Sequence, residues 1–195
     1  MCSRNLVAIA LGALLFGSSA ASAQDVAPAP APSGYASRPI YVGLGLGPSI
    51  SLQGGGAAFK LEESIGVHIL PVNQHPGLFI GGALGETFAS GATRFQFGAR
   101  AGFDAQVFAN DELSLLITPM LTLGGSIYSF RYTDGFGNTT RDTTGAFNLG
   151  IAADVRLVLA DGRVTVWTRP MGFDIDIRDG SAAYYDFLFG ANYNF

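Results

Sequence analysis

The residues of this sequence that could act together chemically are charged side chains of both signs, spaced at even-numbered intervals along several segments. They are Lys60, Glu62, Arg100, Asp104, Asp154, Arg156, Arg169 and Asp186. Buried charges are tolerated when they are paired and hydrogen-bonded. Two roles fit such a set: a network of salt bridges that holds an interior rigid, or a narrow, gated path for ions. We favour the network, because the interior of a small closed sheet is filled by its own side chains.

Nucleophilic catalysis and metal binding find little support. The histidines are His68 and His75, and neither belongs to a His-x-Ser motif. A nucleophile needs a base within hydrogen-bond reach, and two isolated histidines are too few for a zinc site. Gly43, Gly45 and Gly47 are evenly spaced without a following helix, unlike a phosphate-binding loop. We therefore predict no catalytic residue, no metal site and no cofactor.

Strands must position the charges, because apolar residues alternate with polar or small residues along the chain. From Phe95 to Val107 every odd position is apolar, whereas the even positions carry Gln, Gly, Arg and Asp. Successive side chains of a strand point to opposite faces, so one face is apolar and the other polar. The pattern predicts eight strands, at 40–52, 57–70, 78–88, 94–108, 113–130, 145–159, 163–177 and 182–195.

The composition indicates which face is exposed to which solvent. Of the 195 residues, 13% are charged and 48% are hydrophobic, whereas a soluble domain carries about 25% charged residues. A closed barrel leaves no strand edge unpaired, and strands of this length can cross a bilayer. We predict an all-β fold: an eight-stranded antiparallel transmembrane up-and-down β-barrel with its apolar face towards lipid. A soluble periplasmic barrel with an apolar ligand inside is the alternative.

The net charge of −4, with no basic stripe, argues against a nucleic-acid partner.

The segment before the strands has the features of an exported protein. Arg4 precedes an apolar run from Leu6 to Phe16, and Ala21-Ser22-Ala23 fits a small-x-small cleavage site. We predict a cleaved signal peptide at 1–23, an Ala/Pro-rich flexible leader at 24–39 and a barrel domain at 40–195. The one cysteine, Cys2, lies within the predicted signal.

These features together resemble the small outer-membrane β-barrel proteins of Gram-negative bacteria, the OmpA/OmpX-like superfamily. The signal, the eight alternating strands and a last strand that ends in Phe195 carry the resemblance. Tyr193 and Phe195 are similar to the signal read by the barrel assembly machinery. The resemblance implies a monomer in the outer membrane with both termini in the periplasm, in contact with outer-membrane lipids and lipopolysaccharide. It implies a structural, envelope-integrity or surface-contact role without catalysis; a narrow, porin-like pore is the alternative.

With that orientation, the longest external connection would be Arg131 to Thr144. It is a candidate extracellular contact loop for sugar, lipopolysaccharide or another surface, since binding residues concentrate on loops. We favour the alternative, a merely solvated loop. Its candidate residues are Tyr132, Asp134, Phe136, Arg141 and Asp142.

Glu63 conflicts with the alternation. It has the same parity as Phe59, Leu61 and Ile65, so it falls on the face assigned to lipid. A carboxylate there is destabilising unless it lies near the membrane interface or a bulge turns it inward. The sequence leaves both possibilities open.

Overall fold

The computed structural model describes residues 38–54, 56–69, 77–110, 113–133, 135–137, 139–159, 162–178 and 180–195. The predicted signal at 1–23, residues 24–37 of the predicted leader and His75 lie outside the described residues. No helix in these ranges is long and apolar enough to cross a membrane.

The described chain is almost entirely antiparallel sheet. The strands are β1 (Ile40–Ser51), β2 (Ala57–His68), β3 (Gly77–Ala89), β4 (Ala92–Ala109), β5 (Ser114–Thr133), β6 (Thr139–Leu159), β7 (Val164–Ile177), β8 (Ser181–Asp186) and β9 (Leu188–Asn194). Phe187 separates β8 from β9, and both pair with β7 on one side and β1 on the other. They are therefore two halves of one strand. Because β1 also pairs with β2, the ring closes, and the predicted eight-stranded barrel is confirmed.

The apolar face of the sheet is the outer one. Along β1, Val42, Leu44 and Leu46 are exposed, whereas Tyr41 and Ser49 are buried. The same alternation recurs around the ring, and most of the buried side chains are polar or charged. This is the reverse of the arrangement that a soluble, ligand-carrying barrel requires.

The predicted contact loop is wrong in extent. β5 continues to Thr133 and β6 begins at Thr139, so most of Arg131–Thr144 is a paired hairpin and the connection shrinks to residues 134–138. Threonine is β-branched and suits a strand, which explains why this Thr-rich stretch extends the sheet. Gly137, with a φ of 85°, lies in the turn. The remaining strand ends lie within two residues of the prediction.

A bulge in β7 changes which residues point inward. Ala153 pairs with Met171 and Val155 with Thr168, so Arg169 and Pro170 together oppose one residue of β6. Trp167 and Arg169 are buried before the bulge at odd positions, and after it the buried positions are even. Proline suits this site because a bulge leaves a residue outside the hydrogen-bond ladder.

Two glycines make room for a tryptophan at the closure of the ring. Gly45 of β1 pairs with Gly190 of β9, and the ring of Trp167 lies over both. A Cβ at Gly45 would lie 2.3 Å from Trp167 Cη2, and one at Gly190 would lie 2.3 Å from Cζ2. Trp167 Nε1 donates a hydrogen bond to Asn192 Oδ1, 2.9 Å away, so its polar atom is satisfied in the interior.

Gly190→Ala should therefore destabilise the barrel. The added Cβ would also lie 2.4 Å from the Leu44 carbonyl oxygen, and overpacking of this kind costs about 1–3 kcal/mol. Urea unfolding in lipid vesicles measures the loss. Gly145→Ala is the matched control, because its Cβ would meet Ser126 O at an unstrained 3.9 Å. Equal unfolding midpoints for the two variants would contradict the close packing.

Candidate functional site

The middle of the lumen holds a cluster of alternating charges centred on Glu62. Arg100 Nη1 donates to Glu62 Oε1 at 2.8 Å. Arg169 Nη1 donates to Glu62 Oε2 at 2.9 Å and Nη2 to Oε1 at 3.1 Å, which makes a bidentate pair. Arg169 Nε also donates to Asp154 Oδ1 at 2.8 Å. We call Glu62, Arg100, Arg169 and Asp154 the central cluster.

The central cluster continues towards the end of the barrel that carries both termini. Arg156 connects Asp154, 3.4 Å from its Nη2, with Asp104, 3.3 Å from its Nη1. Asp104 also accepts a hydrogen bond from Thr118 Oγ1 at 2.6 Å and lies 3.2 Å from His68 Nε2. His68 is buried and packs against the ring of Tyr41. A histidine–carboxylate pair enclosed in this way has no open side for a substrate.

A second cluster fills the lumen on the side of the β5–β6 hairpin. Asp176 accepts hydrogen bonds from Arg94 Nε, Ser126 Oγ and Asn148 Nδ2 at 2.8–2.9 Å, and a short one from Tyr128. The Arg94 guanidinium also lies over the ring of Tyr184, 4.1 Å from its centroid. Together these four donors satisfy the buried carboxylate of Asp176.

Lys60 lies beside the second cluster and joins β7 to the last strand. Its Nζ donates to Asp174 Oδ2 at 2.8 Å and makes a short contact with Asp186 Oδ2. Gln96 Nε2 donates to the same Asp174 oxygen at 2.9 Å. The ion pairs thus connect β2 with β8 across β1, and β2 with β7 across both β1 and β8.

The structure places all eight charged residues singled out from the sequence inside the lumen, each 8% exposed or less. Sequence analysis missed three members of the network: Arg94, Asp174 and Asp176. Arg94 shares the parity of Arg100 and was detectable. The two aspartates lie beyond the bulge, where strict alternation assigns them to the outer face, and Pro170 was the available signal.

Little free space remains between the charged clusters. The cavity that Lys60, Glu62, Arg169 and Asp186 help to line measures about 30 Å³. One water molecule in the liquid occupies about 30 Å³. The side chains of the clusters therefore fill most of this part of the described lumen.

The residues of the predicted contact loop separate onto different parts of the hairpin. Phe136 lies in the turn and is 94% exposed, whereas Tyr132 belongs to β5 and Arg141 and Asp142 belong to β6. Asp134 lies outside the described residues. The pairing also places Arg131, which sequence analysis did not select, directly opposite Arg141. At the other end of the barrel Tyr193 and Phe195 are exposed, with ring centroids 4.9 Å apart.

Solved structures resemble this chain at low sequence identity. No protein-family model and no curated protein matches the sequence. Neisserial surface protein A (NspA) superposes with a TM-score of 0.53 at 14% identity, covering 80% of this chain and 97% of that chain. The N-terminal β-barrel domain of Pseudomonas aeruginosa OprF gives 0.47 at 11% identity, covering 81% and 98%. Yersinia pestis Ail, in complex with the heparin analogue sucrose octasulfate, gives 0.44 at 14% identity, covering 80% and 97%.

The likeness to NspA establishes the fold class. The chain has the eight-stranded antiparallel barrel architecture of small outer-membrane proteins, as the sequence resemblance implied. An identity of 14% carries no information on ligands or residue roles, so the function has to be argued from the chain's own residues.

Arg169→Ala should destabilise the barrel by about 3–5 kcal/mol, because removal of one partner leaves buried carboxylates incompletely neutralised. Arg169→Lys should lose less, since it keeps the charge but not the bidentate geometry. Urea unfolding in lipid vesicles measures both. Arg163→Ala, which removes an exposed arginine in the β6–β7 turn, should unfold like the unmodified protein. A loss for Arg169→Ala no larger than for Arg163→Ala would show that the central cluster does not hold the barrel together.

Proposed function

We propose that this protein is a non-catalytic, integral outer-membrane barrel that supports the envelope and presents one hairpin at the cell surface. The observation that carries the proposal is the inverted distribution of polarity. Large apolar side chains cover the outside of the ring, and the ion pairs are inside. A closed barrel satisfies all strand hydrogen bonds internally, which is the condition for a sheet in lipid.

The outer surface has the further features of a membrane span. β1, β2 and β3 contain 12 or 13 residues, enough for a tilted strand that needs about 9–11 to cross. Aromatic residues cluster on the last strand, where Phe187 and Phe189 pack edge to face at 4.9 Å. Aromatic girdles mark the interfaces of outer-membrane barrels. Tyr193 and Phe195 at its end keep their proposed role as an assembly signal.

The positions of the chain ends and the hairpin support the orientation that we propose. β1 begins and β9 ends at one rim, and the β5–β6 hairpin extends from the opposite rim. We place both termini in the periplasm, reached through the predicted signal, and the hairpin outside. Pairing with β4 stops at Phe130 and pairing with β7 stops at Phe147, so the hairpin projects beyond the neighbouring strands.

Arg131 and Arg141 make the hairpin a candidate contact for phosphate. The Arg131 amide donates to Gly91 O and so does not point towards β6, which makes the Arg131–Arg141 pair the close, non-hydrogen-bonded type. Like charges directly opposite each other repel. Arg141 Nε donates to Ser129 Oγ at 2.6 Å, and the described salt bridges include neither arginine. A phosphate between the two guanidinium groups would relieve the repulsion.

The phosphate groups of lipopolysaccharide are the partner we propose for this pair. Ile127 and Phe147 are exposed on the same outer face, on the membrane side of the two arginines. The arginine pair thus lies just beyond the apolar band, where we expect the headgroups of the outer leaflet.

Cell fractionation with gel electrophoresis tests the barrel proposal. The protein should sediment with outer membranes and migrate differently in SDS before and after boiling, because a closed barrel resists SDS until it is heated. The purified protein should give no discrete conductance steps in planar bilayers, since the lumen is packed. Recovery in the soluble fraction, or the absence of a heat-dependent shift, would overturn a membrane barrel. Reproducible conductance steps that change in Arg100→Ala would establish the pore alternative.

Replacing both hairpin arginines should weaken lipopolysaccharide binding. Arg131→Gln with Arg141→Gln should lower the affinity of reconstituted protein for lipopolysaccharide at least about tenfold, because hydrogen bonds between charged groups contribute about 1.5–3 kcal/mol each. Isothermal titration measures the affinity, and Arg163→Gln, in the turn near the other rim, is the matched control. Dephosphorylated lipopolysaccharide should bind the double variant and the unmodified protein equally. Unchanged affinity of the double variant would exclude the arginine pair as the contact.

A further inference from the structure

Glu63 is a carboxylate in the middle of the apolar outer surface. It is the seventh of the 12 residues of β2, and it is exposed. Leu44 of β1 and Leu84 of β3 lie directly opposite it, and both are exposed as well. Pairing of β2 with both neighbours continues without a register shift on either side of Glu63. No bulge therefore turns the carboxylate inward, and the ambiguity left by the sequence is resolved in favour of the outer face.

The described part of the chain shows no partner for this carboxylate. Its neighbour Glu62 binds two arginines inside the barrel, whereas no described hydrogen bond or salt bridge includes Glu63. The described outward-facing residues of β1 to β4 include no lysine, arginine or histidine. Ionisable groups at membrane depth are rare on the lipid face and are normally directed towards protein or water. A hydrogen-bonding group from another molecule would remove the cost of exposure to lipid.

The surface around Glu63 is shaped to admit another molecule. A shallow depression of about 1140 Å³ is lined by Glu63, Leu44 and Leu84 together with the small residues Gly82, Ala99 and Ala191. A second depression of about 540 Å³ continues across Gly82, Ala99 and Ala101. Small residues at an interface within a membrane let two backbones approach closely.

We infer that this face is the contact between two copies of the chain, with Glu63 at its centre. The inference rests on the proposed membrane location. A two-fold axis along the membrane normal brings each copy's Glu63 to the same depth, opposite its symmetry mate. Two adjacent carboxyl groups can share one proton, so that the protonated acid donates a hydrogen bond to the carboxylate. No opposite charge is then required, which agrees with the absence of basic residues among the described residues of this face.

The two sides of β2 are complementary under the same symmetry. At the level of Ile65, β1 presents Val42 on one side of β2, and β3 and β4 present Gly82 and Ala99 on the other. A two-fold axis near Glu63 opposes the β1 side of one copy to the β3–β4 side of the other. Val42 of each copy thus faces Gly82 and Ala99 of its mate, whereas Leu44 meets Leu84 beside the Glu63 pair.

Förster transfer between donor- and acceptor-labelled copies in lipid vesicles, measured over a range of protein-to-lipid ratios, tests the dimer. The unmodified protein should dimerise. Glu63→Leu should raise the dimer dissociation constant at least tenfold, and Gly82→Leu should do the same by filling the depression. Glu63→Gln, which can still form a symmetric hydrogen-bonded pair, should stay within a few-fold of the unmodified protein. Glu86→Leu is the matched control, because Glu86 is also exposed on the outer face but does not line the depression.

Cross-linking locates the contact. Ile65→Cys, beside Glu63 on the same face, should form a disulfide-linked dimer under mild oxidation, whereas Met171→Cys on β7 should not. A monomer at every ratio, which the sequence resemblance implies, would overturn the inference, as would a dimer that Glu63→Leu leaves unchanged. Either result would leave the membrane-barrel proposal standing, provided that the protein keeps its heat-dependent migration in SDS.

Discussion

Neutralisation of charge inside a narrow ring is the constraint on which the rest of this structure depends. Six carboxylates, from Glu62, Asp104, Asp154, Asp174, Asp176 and Asp186, share the lumen with Lys60 and four arginines. Each of these buried groups needs a partner of opposite charge, because an unpaired buried charge destabilises the fold by several kcal/mol. The contacts join strands that are distant in sequence: Lys60 of β2 binds Asp174 and Asp186, more than 110 residues later. The interior polar network therefore favours the closed ring over an open sheet.

The placement of glycine and of bulky residues follows from the same constraint. Guanidinium groups and a tryptophan need room inside the ring, and inward-facing glycines provide it where side chains of the same or nearby strands lie against the wall. The outer face carries no such requirement and is filled with side chains that suit lipid. Glu63 departs from this division of the two faces, and that departure is the reason to consider a neighbour in the plane of the membrane.

Alternation along the sequence was enough to predict the strands, their number and the inward direction of eight charged residues. It failed where the period itself changes. The bulge at Pro170 shifts the buried positions of β7 from odd to even, so Asp174 and Asp176 were not among the charges predicted for the interior. Alternation also failed to predict two features that depend on how neighbouring strands pair. The extension of the β5–β6 hairpin and the opposition of Arg131 to Arg141 follow from register, which a single strand pattern does not contain.

Trp167 lies where its fluorescence can report on the closure of the barrel. Its ring covers Gly45 of the first strand and Gly190 of the last, and these two residues pair where the chain closes on itself. The sequence contains one tryptophan, so its emission arises from this place alone. Before the first and last strands meet, the indole lacks the part of its surroundings that Gly45 provides. Fluorescence of the unlabelled protein therefore separates the final joining of the two chain ends from the earlier steps of strand insertion.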